Sequence, residues 1–260
     1  MVSLGFQLVF LDIDPVLVSC WRNHLSKMLD RSRVRGSEYP LVLESSLKTY
    51  DGRFDCIVSP GNSFARMDGG LDLIISRFFS EGKGGGRDGL TDVLDYVRRV
   101  HYARWRGLQP VGSCYMIDML PWMASTGDVG WNRFACRYIA HSPTMRVPSA
   151  LWREEIVYEC MWSVLNEVFN HNGKIPLEQQ DDSQESGSQE SGPAAIKTVV
   201  VTGLGTGTGR MDRDLCARLM VMAFVNFVEA LEAGPGGLNE WRWTLAKEWD
   251  LRIKAAKTPQ

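Results

Sequence analysis

No excess of positive charge marks this chain. Its 29 lysines and arginines meet 31 aspartates and glutamates, leaving a formal net charge of −2, so the basic footprint that duplex nucleic acid demands is missing. A small anionic ligand needs only local charge and stays open. Histidine is sparse: His24, His101, His141 and His171 stand far apart and show no metal-ligand spacing. The six cysteines, Cys20, Cys56, Cys114, Cys136, Cys160 and Cys216, form no C-x-x-C pair and mostly sit inside apolar runs. They read as buried free thiols in a reducing compartment. No uninterrupted apolar run reaches bilayer length. Gln7, Asp12 and Asp14 break the opening apolar stretch, where a secretory signal would be continuous. The expectation is an intracellular protein, cytoplasmic or nuclear, with neither a membrane nor duplex nucleic acid among its partners.

Several catalytic signatures are also missing. No G-x-S-x-G elbow is present, no Gly-Lys-Ser/Thr closes a phosphate loop, and no G-x-G-x-x-G follows a strand. What is present is an apolar share of 44% over 260 residues, enough for a sizeable core. Apolar periodicity alternates between strand and helix. Phe6 to Leu11, Tyr39 to Leu47, Phe54 to Val58, Cys114 to Leu120, Phe134 to His141 and Ile196 to Thr202 read as strands. Helices are expected over Pro15–Asp30 (N-cap Asp14), Leu71–Phe79, Leu90–Trp105, Trp152–Phe169 and Leu215–Leu231, the last ended by Gly234-Pro235-Gly236-Gly237. This order gives a layered α/β fold. Leu177 to Pro193 is polar and nearly repeats Gln184-Glu185-Ser186-Gly187-Ser188, which predicts a disordered surface insertion at about 177–194. A helical tail is expected over 239–260.

Two glycine-rich turns, each fed by an apolar strand, carry the chemistry. The first runs Ser59-Pro60-Gly61-Asn62 to Asp68-Gly69-Gly70-Leu71-Asp72; the second is Gly203-Leu204-Gly205-Thr206-Gly207-Thr208-Gly209-Arg210. At the carboxyl ends of neighbouring strands, two such turns make an anion-binding crevice. Asn62 offers an amide for ligand hydroxyls, or else an Asx-turn that satisfies only its own backbone. Gly69 and Gly70 allow close backbone approach. Asp72 suits the helix dipole by itself and equally suits a carboxylate that orients a water or a ribose hydroxyl. Gly205 to Gly209 presents amides and two hydroxyls, a diphosphate cradle.

In this order the residues resemble a macrodomain, the ADP-ribose-binding module. Asp55-Cys56-Ile57-Val58-Ser59, Pro60-Gly61-Asn62 and Asp68-Gly69-Gly70-Leu71-Asp72 follow its first signature, and Gly205-Thr206-Gly207-Thr208-Gly209 is similar to its second. Tyr138-Ile139-Ala140-His141-Ser142-Pro143 resembles the strand between them, and Ser-Pro-Gly-Asn-Ser-Phe-x-x-Met-Asp-Gly-Gly looks like the divergent macro-like proteins of fungi and phages. The resemblance spans most of Phe54 to Glu232. It implies a three-layer α/β/α sandwich with a mixed central sheet, one macro-like domain over 1–260. The ligand implied is ADP-ribose or a related nucleotide, free or attached to an ADP-ribosylated protein, with no cofactor and no metal. Asn62 would contact the distal ribose; Gly69, Gly70 and Leu71 would line that ribose and the diphosphate. Thr206, Gly207, Thr208 and Gly209 would wrap the diphosphate from Gly205 onward, with Arg210 pairing to a phosphate. Asp72, with Asn62, is the catalytic candidate for hydrolysis of an ADP-ribosyl ester or an ADP-ribose terminal phosphate. The alternatives are a binding module without turnover and a structural macro-fold protein that has lost its ligand. The family's adenine-binding Gly-Asp-Ile falls either on Ser45-Ser46-Leu47 or on Asp12-Ile13. Gly209-Arg210 replaces an aromatic wall, and Met67-Asp68 brings bulk and negative charge to the first turn.

Overall fold

The computed structural model describes residues 3–29, 39–81, 87–125, 132–176, 192–238 and 243–256. Along the chain these form β1 (Gln7–Asp12), α1 (Pro15–Leu29), β2 (Leu41–Glu44), β3 (Cys56–Ser59), α2 (Gly70–Ser80), α3 (Arg87–Trp105) and β4 (Tyr115–Asp118). There follow α4 (Leu120–Ser125), β5 (Tyr138–His141), α5 (Ile156–Asn172), β6 (Thr198–Val201), α6 (Arg213–Leu238) and α7 (Trp243–Ala255). The six strands lie in the order β2-β1-β6-β3-β5-β4. All neighbours run parallel except β4, which pairs antiparallel with β5. The sheet is therefore mixed.

Strand periodicity builds the layers. Leu8, Phe10, Cys56, Val58, Tyr138, Ala140, Val199 and Val201 face one core, shared with buried residues of α1, α5 and α6. Their alternates Val9, Leu11, Ile57, Ile139 and Val200 face a second core with α2, α3 and α4. Side chains at successive strand positions point to opposite faces, so a strand covered on both sides must be apolar throughout. The result is an α/β/α sandwich. In α1, Leu17, Trp21 and Leu25 form the buried stripe, with Trp21 stacked on Phe10 at 5.1 Å. Full burial of each such side chain is worth roughly 1.5–3 kcal/mol. Asp14 caps α1, its Oδ1 accepting from the Val16 amide at 3.0 Å.

Some boundaries differ from the periodicity. β5 starts at Tyr138 rather than Phe134 because Asn132 folds the chain on itself. Its Oδ1 accepts from the Phe134 and Cys136 amides, and its amide donates to the Cys136 carbonyl. Such side-chain bonds compete with a ladder. β2 ends at Glu44, where Ser45, Ser46 and Thr49 bond among themselves. α4 is not visible in the sequence pattern. Helix α6 breaks at Gly234, which is left-handed at φ 60. α7 docks through Trp249, 5.6 Å from Trp162, and through the Arg218 guanidinium, which donates to the Ala256 carbonyl. Most of the insertion expected at 177–194 lies outside the described residues. Cys56, Cys136, Cys160 and Cys216 are buried, Cys20 and Cys114 half-buried, and all six are free. No described helix is long and apolar enough to cross a membrane.

Candidate functional site

The two glycine turns leave neighbouring strands. β3 pairs parallel with β6, Cys56 opposite Val199 and Ile57 opposite Val200, so both turns emerge at the same carboxyl edge. Gly69 opens α2 in an extended conformation and gives it no side-chain cap. The first hydrogen bond across this helix start runs from the Leu73 amide to the Gly69 carbonyl. The amides of Gly70, Leu71 and Asp72 find no acceptor among the described residues. Unsatisfied donors at a helix start carry positive partial charge.

The second loop is tightly wound but leaves its tip open. The Gly203 amide donates to Asp12 Oδ2 at 3.1 Å, the Thr206 hydroxyl to the Gly203 carbonyl, and the Met211 amide to the Gly205 carbonyl. Gly205 is left-handed at φ 74. The amides of Thr206, Gly207, Thr208 and Gly209 donate to nothing among the described residues, and Gly207, Thr208 and Arg210 are exposed. Arg210 pairs with no acid among the described residues.

A strap that sequence reasoning missed ties the two turns together. After β5, the Thr144 amide donates to the Gly61 carbonyl at 3.2 Å and the Ser63 amide to the Met145 carbonyl at 3.0 Å. The strap then reaches the second loop, where the Leu151 amide donates to the Gly209 carbonyl at 2.9 Å. The Leu151 side chain lies against Gly205 and Gly209. An apolar strand followed by Ser-Pro-Thr gives no local sign of this contact.

Asn62 does both things its position allows. Its Oδ1 accepts from the Phe64 amide at 3.0 Å, an Asx-turn, while its amide nitrogen has no acceptor among the described residues. Asp72 does not face open solvent. It is 7% exposed, and its Oδ1 accepts from the Ser59 hydroxyl at 2.8 Å. Burial pushes its carboxyl up to about 6, the Ser59 hydrogen bond opposing and Asp68 adding to the rise. Beneath the same turn lies His141, fully buried, its Nδ1 2.6 Å from Gln109 Oε1. Burial, helped by His101, holds its imidazole down to about 3 and therefore neutral. In the sequence His141 stands out only as part of the Tyr138-Ile139-Ala140-His141-Ser142-Pro143 segment, where it closes a strand on the edge that carries the turns.

The first turn departs from expectation. Met67 adds no bulk to the crevice: it is left-handed at φ 50 and its side chain is fully buried in the core with Ile75 and Phe79. The charge of Asp68 is offset by Arg66, whose Nε and Nη2 donate to its Oδ2 at 2.8 and 2.6 Å. The two rival adenine positions turn out to be neighbours, since the Ser45 amide donates to the Asp12 carbonyl. Asp12 spends its carboxylate on the Gly203 and Asp14 amides.

No family model and no curated protein matches the chain. Among solved structures it is similar to the macrodomain of Mycobacterium tuberculosis DarG, at 16% identity and a TM-score of 0.43, over 72% of this chain and 90% of that chain. Likeness at this level carries no residue's role across.

Proposed function

We propose that the protein binds ADP-ribose or a related nucleotide in the crevice between the two glycine turns, on its own or on an ADP-ribosylated protein. The observation that carries this reading is that unpaired amides stand both at the uncapped start of α2 and at the Thr206–Gly209 tip, in turns that leave adjacent parallel strands at the same edge. In it the diphosphate rests on the amides of Gly205, Thr206, Gly207, Thr208 and Gly209, with the unpaired Arg210 beside it. The distal ribose meets the Asn62 amide and the backbone of Gly69, Gly70 and Leu71. Turnover is a second reading, favoured by one observation: Asp72 is a buried acid held up to about 6, in the range where a carboxyl exchanges protons with a water at neutral pH. It would hydrolyse an ADP-ribosyl ester or an ADP-ribose terminal phosphate.

Calorimetry with ADP-ribose, ADP and AMP tests the binding. ADP-ribose is expected to bind tightest, and Asn62→Ala to weaken it about tenfold, one hydrogen bond's worth, while leaving ADP unchanged. Equal affinity for ADP-ribose and ADP would remove the distal-ribose role of Asn62. If nothing binds and no ligand raises the melting temperature, the chain is a structural relative of the fold without a ligand.

A further inference from the structure

Helix α7 leaves a gap where it docks. Between it, α5 and the loop before β4 lies a cavity of about 460 Å³, lined by Tyr158, Glu159 and Trp162 of α5, Trp249 and Ile253 of α7, and Gly112. None of these residues belongs to either glycine turn. Protein interiors are packed without gaps of this size, and an aromatic-walled cavity of this volume is of ligand size. Three rings meet at it. Those of Trp162 and Trp249 are 5.6 Å apart and inclined at 67°, so they form a corner. Tyr158 extends the corner, 6.1 Å from Trp162. Ring faces carry the negative part of the aromatic quadrupole. The charge beside them leans the same way. Glu159 is matched by Arg153, whose two guanidinium nitrogens donate to its oxygens at 2.7 and 2.6 Å. On α7, Asp250 and Lys254 cancel each other, but Arg252 answers two acids, Glu248 at 3.0 Å and Glu229 at 3.7 Å. Glu229 acts on the cavity wall: burial raises the Tyr158 hydroxyl above its ordinary value, and Glu229 adds to the rise against the Asn226 hydrogen bond.

The polar atoms of the wall are already committed. Both Glu159 oxygens accept from Arg153. The Ser163 hydroxyl donates to the Gly112 carbonyl at 2.7 Å, and the Tyr158 oxygen accepts from the Asn226 amide at 3.0 Å. Gly112 is left-handed at φ 83 and packs so closely on Glu159 that a Cβ there would lie 2.8 Å from Oε2, which keeps the carboxylate at the wall. A bare ammonium or guanidinium brings N–H donors that need acceptors once they leave water, and this wall has few to offer. A methylated ammonium brings the charge without the donors, and its methyl groups pack on ring faces. An anion is disfavoured, because the cations beside the wall, Arg153 and Arg252, are both held by acids. We propose that this cavity binds a quaternary or trimethylated ammonium group, carried by a free small molecule or by a methylated lysine side chain. The site is independent of the nucleotide crevice, and its failure would leave the proposed function untouched.

The test uses the full chain with choline, the uncharged tert-butyl analogue of choline, and short peptides carrying trimethyllysine or unmodified lysine. Binding is followed by calorimetry and by the indole N–H signals of Trp162 and Trp249 in 15N spectra, assigned with Trp162→Phe and Trp249→Phe. Choline or the trimethyllysine peptide is expected to bind saturably, to shift both indole signals, and to bind about tenfold tighter than its uncharged or unmethylated counterpart. Tighter binding of choline assigns the cavity to a free small molecule, and tighter binding of the peptide to a modified protein; either supports the proposal. Trp249→Ala, which removes one ring, should weaken binding about tenfold. Glu159→Gln leaves the Arg153 charge unmatched beside the cavity and should weaken binding several-fold, more so at low salt. Equal affinity for the uncharged analogue, or indole signals that no methylated ammonium moves, overturns the proposal. Should Trp249→Ala release α7, the comparison of charged and uncharged probes on the parent protein decides by itself.

Discussion

Gly209→Ala is expected to weaken ADP-ribose binding at least tenfold and to lower the melting temperature by several degrees. The added Cβ would sit 2.4 Å from the Gly205 carbonyl oxygen and 3.0 Å from its Cα, with Leu151 Cγ also at 3.0 Å. Two of these neighbours are backbone of the same loop and cannot swing aside. The obstacle is steric, and overpacking of this kind costs about 1–3 kcal/mol, or roughly 2–4 °C per kcal/mol for a chain of this size class. Relief comes by opening the loop, which moves the Thr206–Gly209 amides off the diphosphate. Gly207→Ala is the control: its Cβ meets nothing within 4 Å, and its stability should stay within about 0.5 kcal/mol of the parent. Melting curves and calorimetry on both variants check this. If Gly209→Ala melts early yet binds ADP-ribose unchanged, the loop is not the diphosphate cradle.

Asp72→Asn is expected to stabilise the protein above about pH 6 and to abolish any turnover. The folded carboxyl is raised to about 6 from an ordinary value of 3.8. Between those values the native state holds a proton that the unfolded chain has released. Stability from this group is therefore fully present below the lower value and is lost as pH rises through the upper one. The loss amounts to about 3 kcal/mol for a shift of this size. Asparagine does not titrate and keeps an oxygen for the Ser59 hydroxyl. The variant's advantage in melting temperature should be small below about pH 4, about half developed near pH 5 and several degrees near pH 8. A difference that does not change with pH would mean that the Asp72 carboxyl is not raised. ADP-ribose affinity should stay close to that of the parent, since the proposed ligand contacts come from Asn62, the glycine turns and Arg210. Turnover in the parent that is lost in this variant would separate an enzyme from a binding module.

Much of the architecture is legible in the sequence. The apolar runs of β1, β3 and β6, the Asp14-Pro15 helix start, and the break at Gly234 all follow from periodicity and turn chemistry. Phe134 to Arg137 reads as strand by composition, yet the Asn132 side chain takes the Phe134 and Cys136 amides first. Met67 reads as an intrusion on the crevice, yet a left-handed backbone sends it into the core. At the site, the two glycine turns and Asn62 stand out because they interrupt apolar runs. Taken singly, His141, Gln109 and Leu151 do not, because each acts through a partner distant in the chain.

Local order, then, was determined by the sequence itself: which segments are strand or helix, and where glycine permits backbone to lie bare. Side-chain period and backbone sterics act over a few residues, so these features need no tertiary information. Which strands became neighbours was decided only in the folded chain. That placement sets β6 beside β3, brings the strap from β5 across to Gly209, and puts both Asp72 and His141 against Gly61. Burial does the rest. The same aspartate that would be an ordinary carboxylate on a helix surface becomes, beneath this turn, an acid that keeps its proton to about pH 6.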